Sequence, residues 1–209
     1  MSRTERADLC DAALQLGEDQ PTLCGTWSVK ELVVHLLIRE RNIAAAPGIL
    51  VPPLARLTDR ATRRLNDGTD FTVLVERLRQ GPPLYSPLGW GPVDAVANAI
   101  EFFVHHEDIR RAQPEWTART LSRREESTLW ARLTVLGRAI VRGSDVGIVL
   151  ERSDTGARAV LRSAPNSVVV RGLPGELALF TFGRREQAHV ELDGSPEDIA
   201  ALRGTDLSL

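Results

Sequence analysis

Cysteine is nearly missing from this 209-residue chain, which has only Cys10 and Cys24. Two cysteines exclude a disulfide-stapled scaffold and a Cys-rich zinc site. Histidine is scarce as well, at four. No charge sign dominates: 26 basic against 28 acidic residues leave a formal net charge of -2. Nucleic-acid and polybasic membrane-surface partners both need a cationic excess, so neither is expected. Long apolar runs are absent. The most apolar stretch, Leu32 to Ile38, contains His35 and falls far short of the ~18 consecutive apolar residues of a membrane span. Met1 to Arg6 carry both charge signs, and no signal-peptide core follows. A cytoplasmic protein with reduced thiols is therefore expected. Lysine is reduced to Lys30 alone among the basic residues, a bias read as genomic base composition (arginine has GC-rich codons).

What is present is enough apolar residue for a real core, 43% of the chain, in one large domain or two small ones. The first two thirds read as helices. Thr4 is expected to cap a helix to about Leu16, stopped by Gly17. Ser28 and Glu31 form a capping box, in which each side chain satisfies the other's backbone N–H, opening a helix to about Ala45. Helical spacing follows from Pro52-Pro53 to Asp67-Gly68 and from Phe71 to Arg79. A breaker-rich loop runs from Gly81 to Gly91, and Pro92 starts a long helix to about Ala112. Ser122 caps another helix, with Leu129, Leu133, Leu136 and Ile140 inward. After about Arg142 the pattern changes to short β-branched runs: Gly147–Arg152, 157–162 and 167–171, then 174–180 as a short helix, a strand from His189 to Leu192 and a terminal helix after Ser195. The order βββαβα predicts a small α+β module of antiparallel strands. The expected division is a helical domain over 1–143 and an α+β domain over 144–209.

Two of the four histidines stand four residues after a glutamate: Glu31/His35 and Glu101/His105. On a helix, i and i+4 share a face, so both side chains of each pair reach one spot. Both pairs sit among apolar neighbours, and a polar group there needs a partner. Two explanations stay open. His35 and Glu101 hydrogen-bond across a helical core, or a divalent metal is shared between two helices. Imidazole nitrogens with one carboxylate oxygen suit zinc and leave a coordination position open. Glu31 is assigned to its capping box. His106, about 100° around the helix from His105, is not expected to be a co-ligand. His189 and Trp27 are read as structural, Trp27 as closing the core, and Cys24 is read as a buried structural thiol, with a redox thiol or an extra ligand as the alternatives. Asp108, at i+3 from His105, either orients that imidazole or pairs with Arg110 or Arg111. Arg110, Arg111 and Trp90 are candidate contacts to a substrate or thiol.

The run Thr22-Leu23-Cys24-Gly25-Thr26-Trp27-Ser28 through His35-Leu36, followed by Glu101-Phe102-Phe103-Val104-His105-His106-Glu107-Asp108, resembles the mycothiol-dependent maleylpyruvate isomerase family. That family belongs to the DinB-like metal-binding four-helix bundles. The tail, Val168 to Leu177 with Phe182-Gly183-Arg184 and Val190 to Gly194, is similar to that family's C-terminal module, which has a sterol-carrier-protein-like shape. The resemblance implies an α+β chain: a DinB-like bundle, then that module. It maps the metal ligands onto His35, Glu101 and His105. It implies zinc, mycothiol as cosubstrate, and thiol attack on a small electrophile, as an isomerase or thiol transferase. A non-catalytic metal- or small-molecule-binding protein and a metal-free dimerising bundle remain the alternatives, and the chain is expected to be a monomer or homodimer.

Overall fold

The computed structural model describes residues 1–41, 55–83, 86 and 98–205, which fall into two compact units, Met1–Ala118 and Arg119–Leu209. Trp90 and the expected helix start at Pro92 lie outside the described residues.

In the first unit the described helices are α1 (Ser2–Leu16), α2 (Val29–Arg41), α3 (Ala55–Gly68), α4 (Phe71–Arg79) and α5 (Ala99–Arg111). α1 begins at Ser2 with Met1 as its N-cap, so Thr4 lies inside the helix instead of capping it. Gly17, at φ 95, ends it in a conformation that costs other residues more. The Ser28 box forms as the spacing predicts. Ser28 N–H donates to Glu31 Oε2 at 2.9 Å, and Glu31 N–H to Ser28 Oγ at 3.4 Å. Asp70 caps α4 by accepting from Thr72 N–H. α1 packs on α4 and α5, and α2 on α3 and α4. Leu9, Cys10, Ala13, Leu32, Leu36, Leu74, Leu78, Phe102 and Ile109 form one buried cluster. Each large apolar side chain fully buried there contributes about 1.5–3 kcal/mol.

α2 is buried nearly all round. Its half-exposed stripe is Glu31, His35, Arg39, one residue per turn. α5 buries eleven of its thirteen residues, and five of those eleven are charged or histidine. These two helices carry the polar residues discussed below.

The second unit contains α6 (Arg123–Ile140), then β1 (Gly147–Arg152), β2 (Arg158–Arg162), β3 (Ser167–Gly172), α7 (Pro174–Thr181), β4 (Glu191–Asp193) and α8 (Pro196–Gly204). The Ser122/Glu125 capping box opens α6. The sheet order is β2-β1-β3-β4. β1 pairs with β2 and β3 with β4 antiparallel, but β1 and β3 run parallel, in register from Gly147 against Ser167 to Arg152 against Gly172. The expected all-antiparallel arrangement is corrected at that central pair. The chain leaves β2 at the sheet edge and returns on the far side of β1 in β1's direction.

The division falls at Ala118 and not near 143 because α6 packs on α7 and β2. Gly137 shows how closely: a Cβ there would lie 2.9 Å from Leu161 Cδ1 on β2. Helical periodicity assigned α6 to the helical region, but its apolar face is spent on the sheet unit. His189 precedes β4 instead of lying in a strand. It is exposed, and its N–H donates to Glu176 Oε2 at 2.8 Å. Among the described residues, no helix is long and apolar enough to cross a membrane.

Candidate metal centre

The half-exposed stripe of α2 and the Glu101/His105/Asp108 stripe of α5 bring their side chains together. His105 Nε2 lies 3.2 Å from Glu101 Oε1, and His35 Nε2 lies 3.9 Å from that same oxygen. The two imidazole rings stand edge to face with centroids 5.5 Å apart. One donor atom from each of His35, Glu101 and His105 lies within 4.8 Å of the others. Ligands around a tetrahedral ion with bonds of ~2.0–2.2 Å are separated by about 3.3–3.6 Å. The donors are therefore near those separations, and the set of two imidazoles and one carboxylate fits a divalent ion such as zinc. This is a possible metal-binding cluster built from regular helical positions four residues apart.

His105 is held from its other nitrogen. Nδ1 lies 2.9 Å from Asp108 Oδ2, and Asp108 is completely buried. A carboxylate on Nδ1 keeps the proton there and leaves Nε2 as the ligand atom. Of the two readings of Asp108, the contact to His105 is formed. Arg110 and Arg111 pair with Glu107, at 2.8 and 2.5 Å. Arg111 also lies over the Trp116 ring. His106 faces away, 3.1 Å from Glu5 on α1. Glu31 serves its capping box.

Three neighbours of the cluster lie outside the expected ligand set, and of these Arg39 was not singled out from sequence. Arg39 Nε lies 3.5 Å from Glu101 Oε1, while its Nη1 donates to Asn98 Oδ1. Asn98 in turn donates to Glu40 Oε1, which is ion-paired with Arg6. The signal for Arg39 was the same i+4 rule, applied once more from His35. The Trp27 ring lies tilted by 45° with its centroid 5.0 Å from that of His35, and Trp27 remains 36% exposed, so it borders the cluster and does not close the core. Cys24 is only part-buried, and its thiol donates to Asp108 Oδ2 at 3.0 Å. The expectation of a buried structural thiol at Cys24 meets instead a part-buried one bonded to Asp108, while Cys10 is buried. No periodicity marks Cys24, because a loop brings it there.

Electrostatics follow from this packing. Burial lowers the His35 pKa, outweighing the hydrogen bond to Glu101. For Glu101, burial pushes the other way, but Arg39, His105 and His35 together hold it well below the usual carboxylate range. For His105, burial alone would lower the value. Its bonds to Asp108, Cys24 and Glu101 outweigh that and raise it well above the ordinary imidazole. The site thus keeps Glu101 anionic at neutral pH, as a hard oxygen ligand must be.

No protein-family model matches the chain, and no curated protein matches its sequence. The fold does have a counterpart among solved structures. The crystal structure of a mycothiol-dependent maleylpyruvate isomerase aligns with a TM-score of 0.60 over 93% of this chain and 91% of that one, at 15% identity. At that identity, the likeness is one of fold.

Proposed function

We propose that this chain is a zinc-binding, thiol-dependent enzyme in which His35, Glu101 and His105 hold the metal. The observation that carries the reading is the convergence of these three donors from two helices. The support from comparison is the shared fold, whose solved counterpart is named as mycothiol-dependent. The helical unit is then a DinB-like bundle and the second unit a sterol-carrier-like module. When bound, the metal supplies Lewis acidity at an open position, favouring the thiolate form of a low-molecular-weight thiol such as mycothiol.

The chain's own residues do the rest. Asp108 keeps the His105 proton on Nδ1, so that Nε2 faces the ligand position. Arg39 offsets the charge of Glu101 and keeps it ionised. Trp27 packs its ring beside His35 on one side of the cluster. The other substrate is a small electrophile, and the natural location is a reducing cytoplasm.

The test is metal analysis of gently purified protein, followed by thiol binding. About one equivalent of zinc is expected, with most of it lost in His35→Ala. Metal far below stoichiometric and unchanged by that substitution overturns the site. Mycothiol that binds the zinc-loaded protein and is consumed with a test electrophile supports turnover. Zinc without thiol binding makes the chain a metal-binding protein of the same fold.

A further inference from the structure

His105 presents both ring nitrogens to potential ligands. Nε2 faces Glu101 and His35, and Nδ1 faces Asp108 and Cys24. We infer that Cys24, His105 Nδ1 and Asp108 form a second metal-binding set, selective for a thiophilic divalent ion and distinct from the His35/Glu101/His105 set.

The three donor atoms form a compact triangle: Sγ to Oδ2 3.0 Å, Nδ1 to Oδ2 2.9 Å, Sγ to Nδ1 3.8 Å. A four-coordinate ion with bonds of about 2.3 Å to sulfur and 2.0–2.2 Å to nitrogen and oxygen separates its ligands by about 3.3–3.7 Å. Shifts of a few tenths of an ångström therefore seat an ion among them. This triangle is no wider than the one on the other face of the ring.

The scaffold makes the geometry rigid. The loop carrying Cys24 is tied to α5 by Leu23 N–H donating to Asp108 C=O at 3.1 Å. It is closed on itself by Thr22, whose hydroxyl donates to Trp27 C=O at 2.9 Å and accepts from Cys24 N–H at 3.1 Å. Asp108 and His105 are one turn apart on one helix. Cys24 keeps partial exposure, which provides an entry path from solvent.

The donor types set the selectivity. A thiolate with an imidazole and one carboxylate favours zinc, cadmium or cobalt over magnesium and calcium. The nitrogen–oxygen set on the Nε2 face has no such sulfur. Occupation of the Nδ1 face releases the Cys24 thiol proton and the Nδ1 proton to solvent. It also removes the hydrogen bond by which Asp108 orients His105, so excess thiophilic metal works against the first set. Zinc in excess is then an inhibitor of whatever depends on that set.

The experiment is a cobalt titration of metal-stripped, full-length protein, read by the thiolate-to-cobalt charge-transfer absorption. Wild type develops that band as cobalt is added. His35→Gln and Glu101→Gln retain it, Cys10→Ser retains it, and Cys24→Ser loses it with unchanged circular dichroism. A wild type without the band at saturating cobalt overturns the inference, as does a band that persists in Cys24→Ser. Should Cys24→Ser fold poorly, cadmium protection replaces it. Cadmium slows alkylation of Cys24 in Glu101→Gln as in wild type, and absence of protection overturns the site. The two readings fail separately. In Cys24→Ser, which lacks the second set, ligand-field absorption that is lost on adding His35→Gln reports the first set, and the charge-transfer band of the wild type reports the second.

Discussion

The two units treat charge differently. In the helical unit, Glu5, Arg6, Glu40, His105, His106, Glu107, Asp108 and Arg111 are all buried, several completely. In the sheet unit, Glu151 is paired with Arg158 and Arg171, whose side chains are 60% and 41% exposed. An ion pair taken out of water costs desolvation that its attraction recovers only with excellent geometry, whereas an exposed pair costs and contributes little. The helical unit thus accepts an expensive arrangement, and its buried charges surround or brace the cluster on α5. The sheet unit also buries charge at Glu126, Glu151, Arg152 and Glu176, but the arginine partners of Glu151 stay in water, and its apolar core is built from Ile148, Leu150, Val168, Val170 and Leu177.

The largest effect that tests this contrast is removal of Glu107, a completely buried carboxylate that pairs with buried Arg111 and with Arg110. Glu107→Ala is expected to cost about 3–5 kcal/mol in denaturant unfolding. Glu151→Ala, whose arginine partners are exposed, is expected to cost under ~1 kcal/mol. Equal losses would erase the distinction.

A second prediction concerns function. Asp108→Ala is expected to weaken zinc binding about 10–100-fold in a chelator competition, because His105 loses the partner that fixes its tautomer. Arg110→Ala, which removes a side chain bonded to Glu107 and Thr117, should leave zinc affinity unchanged.

A smaller effect lies in the sheet unit at Glu126. It accepts from Gly175 N–H at the start of α7, and burial raises its pKa above the ordinary value. A raised folded-state value means stability present below the unfolded pKa and lost as pH rises through the folded one. Glu126→Gln keeps an acceptor and cannot ionise. Its melting temperature should gain on wild type as pH rises through that window, and match it most closely at acid pH.

The smallest effect is a contrast between the two thiols. Burial pushes the Cys10 thiol up to about 12, whereas Cys24 is partly exposed. Iodoacetamide at pH 8 should label native protein at Cys24 and reach Cys10 only after unfolding, as read by peptide mass spectrometry.

Much of the site was legible because helical periodicity is a local property. Glu101, His105 and Asp108 share a face by spacing alone, and Ser28 and Glu31 announce the helix that carries His35. Their convergence was legible only through polar residues among apolar neighbours, which require partners without naming them. Arg39 was within reach of the same rule. Cys24 and Trp27 were not, since they sit in a loop whose position depends on hydrogen bonds to residues far along the chain, such as Leu23 to Asp108. The destination of α6 was not legible either, because an amphipathic helix shows that it has an apolar face and not what covers it.

By itself, then, the sequence determined where helices start and stop, which side chains share a helical face, and that neither a cysteine cage nor a long apolar span exists in the chain. Those follow from backbone geometry, capping chemistry and composition, all of which act over a few residues. Tertiary structure alone decided that His35 meets Glu101, that β1 runs parallel to β3, that α6 belongs with the sheet, and that His105 has a thiol on its second face. Each of these is a contact between distant segments, selected by packing and by the pairing of buried polar groups across the whole fold.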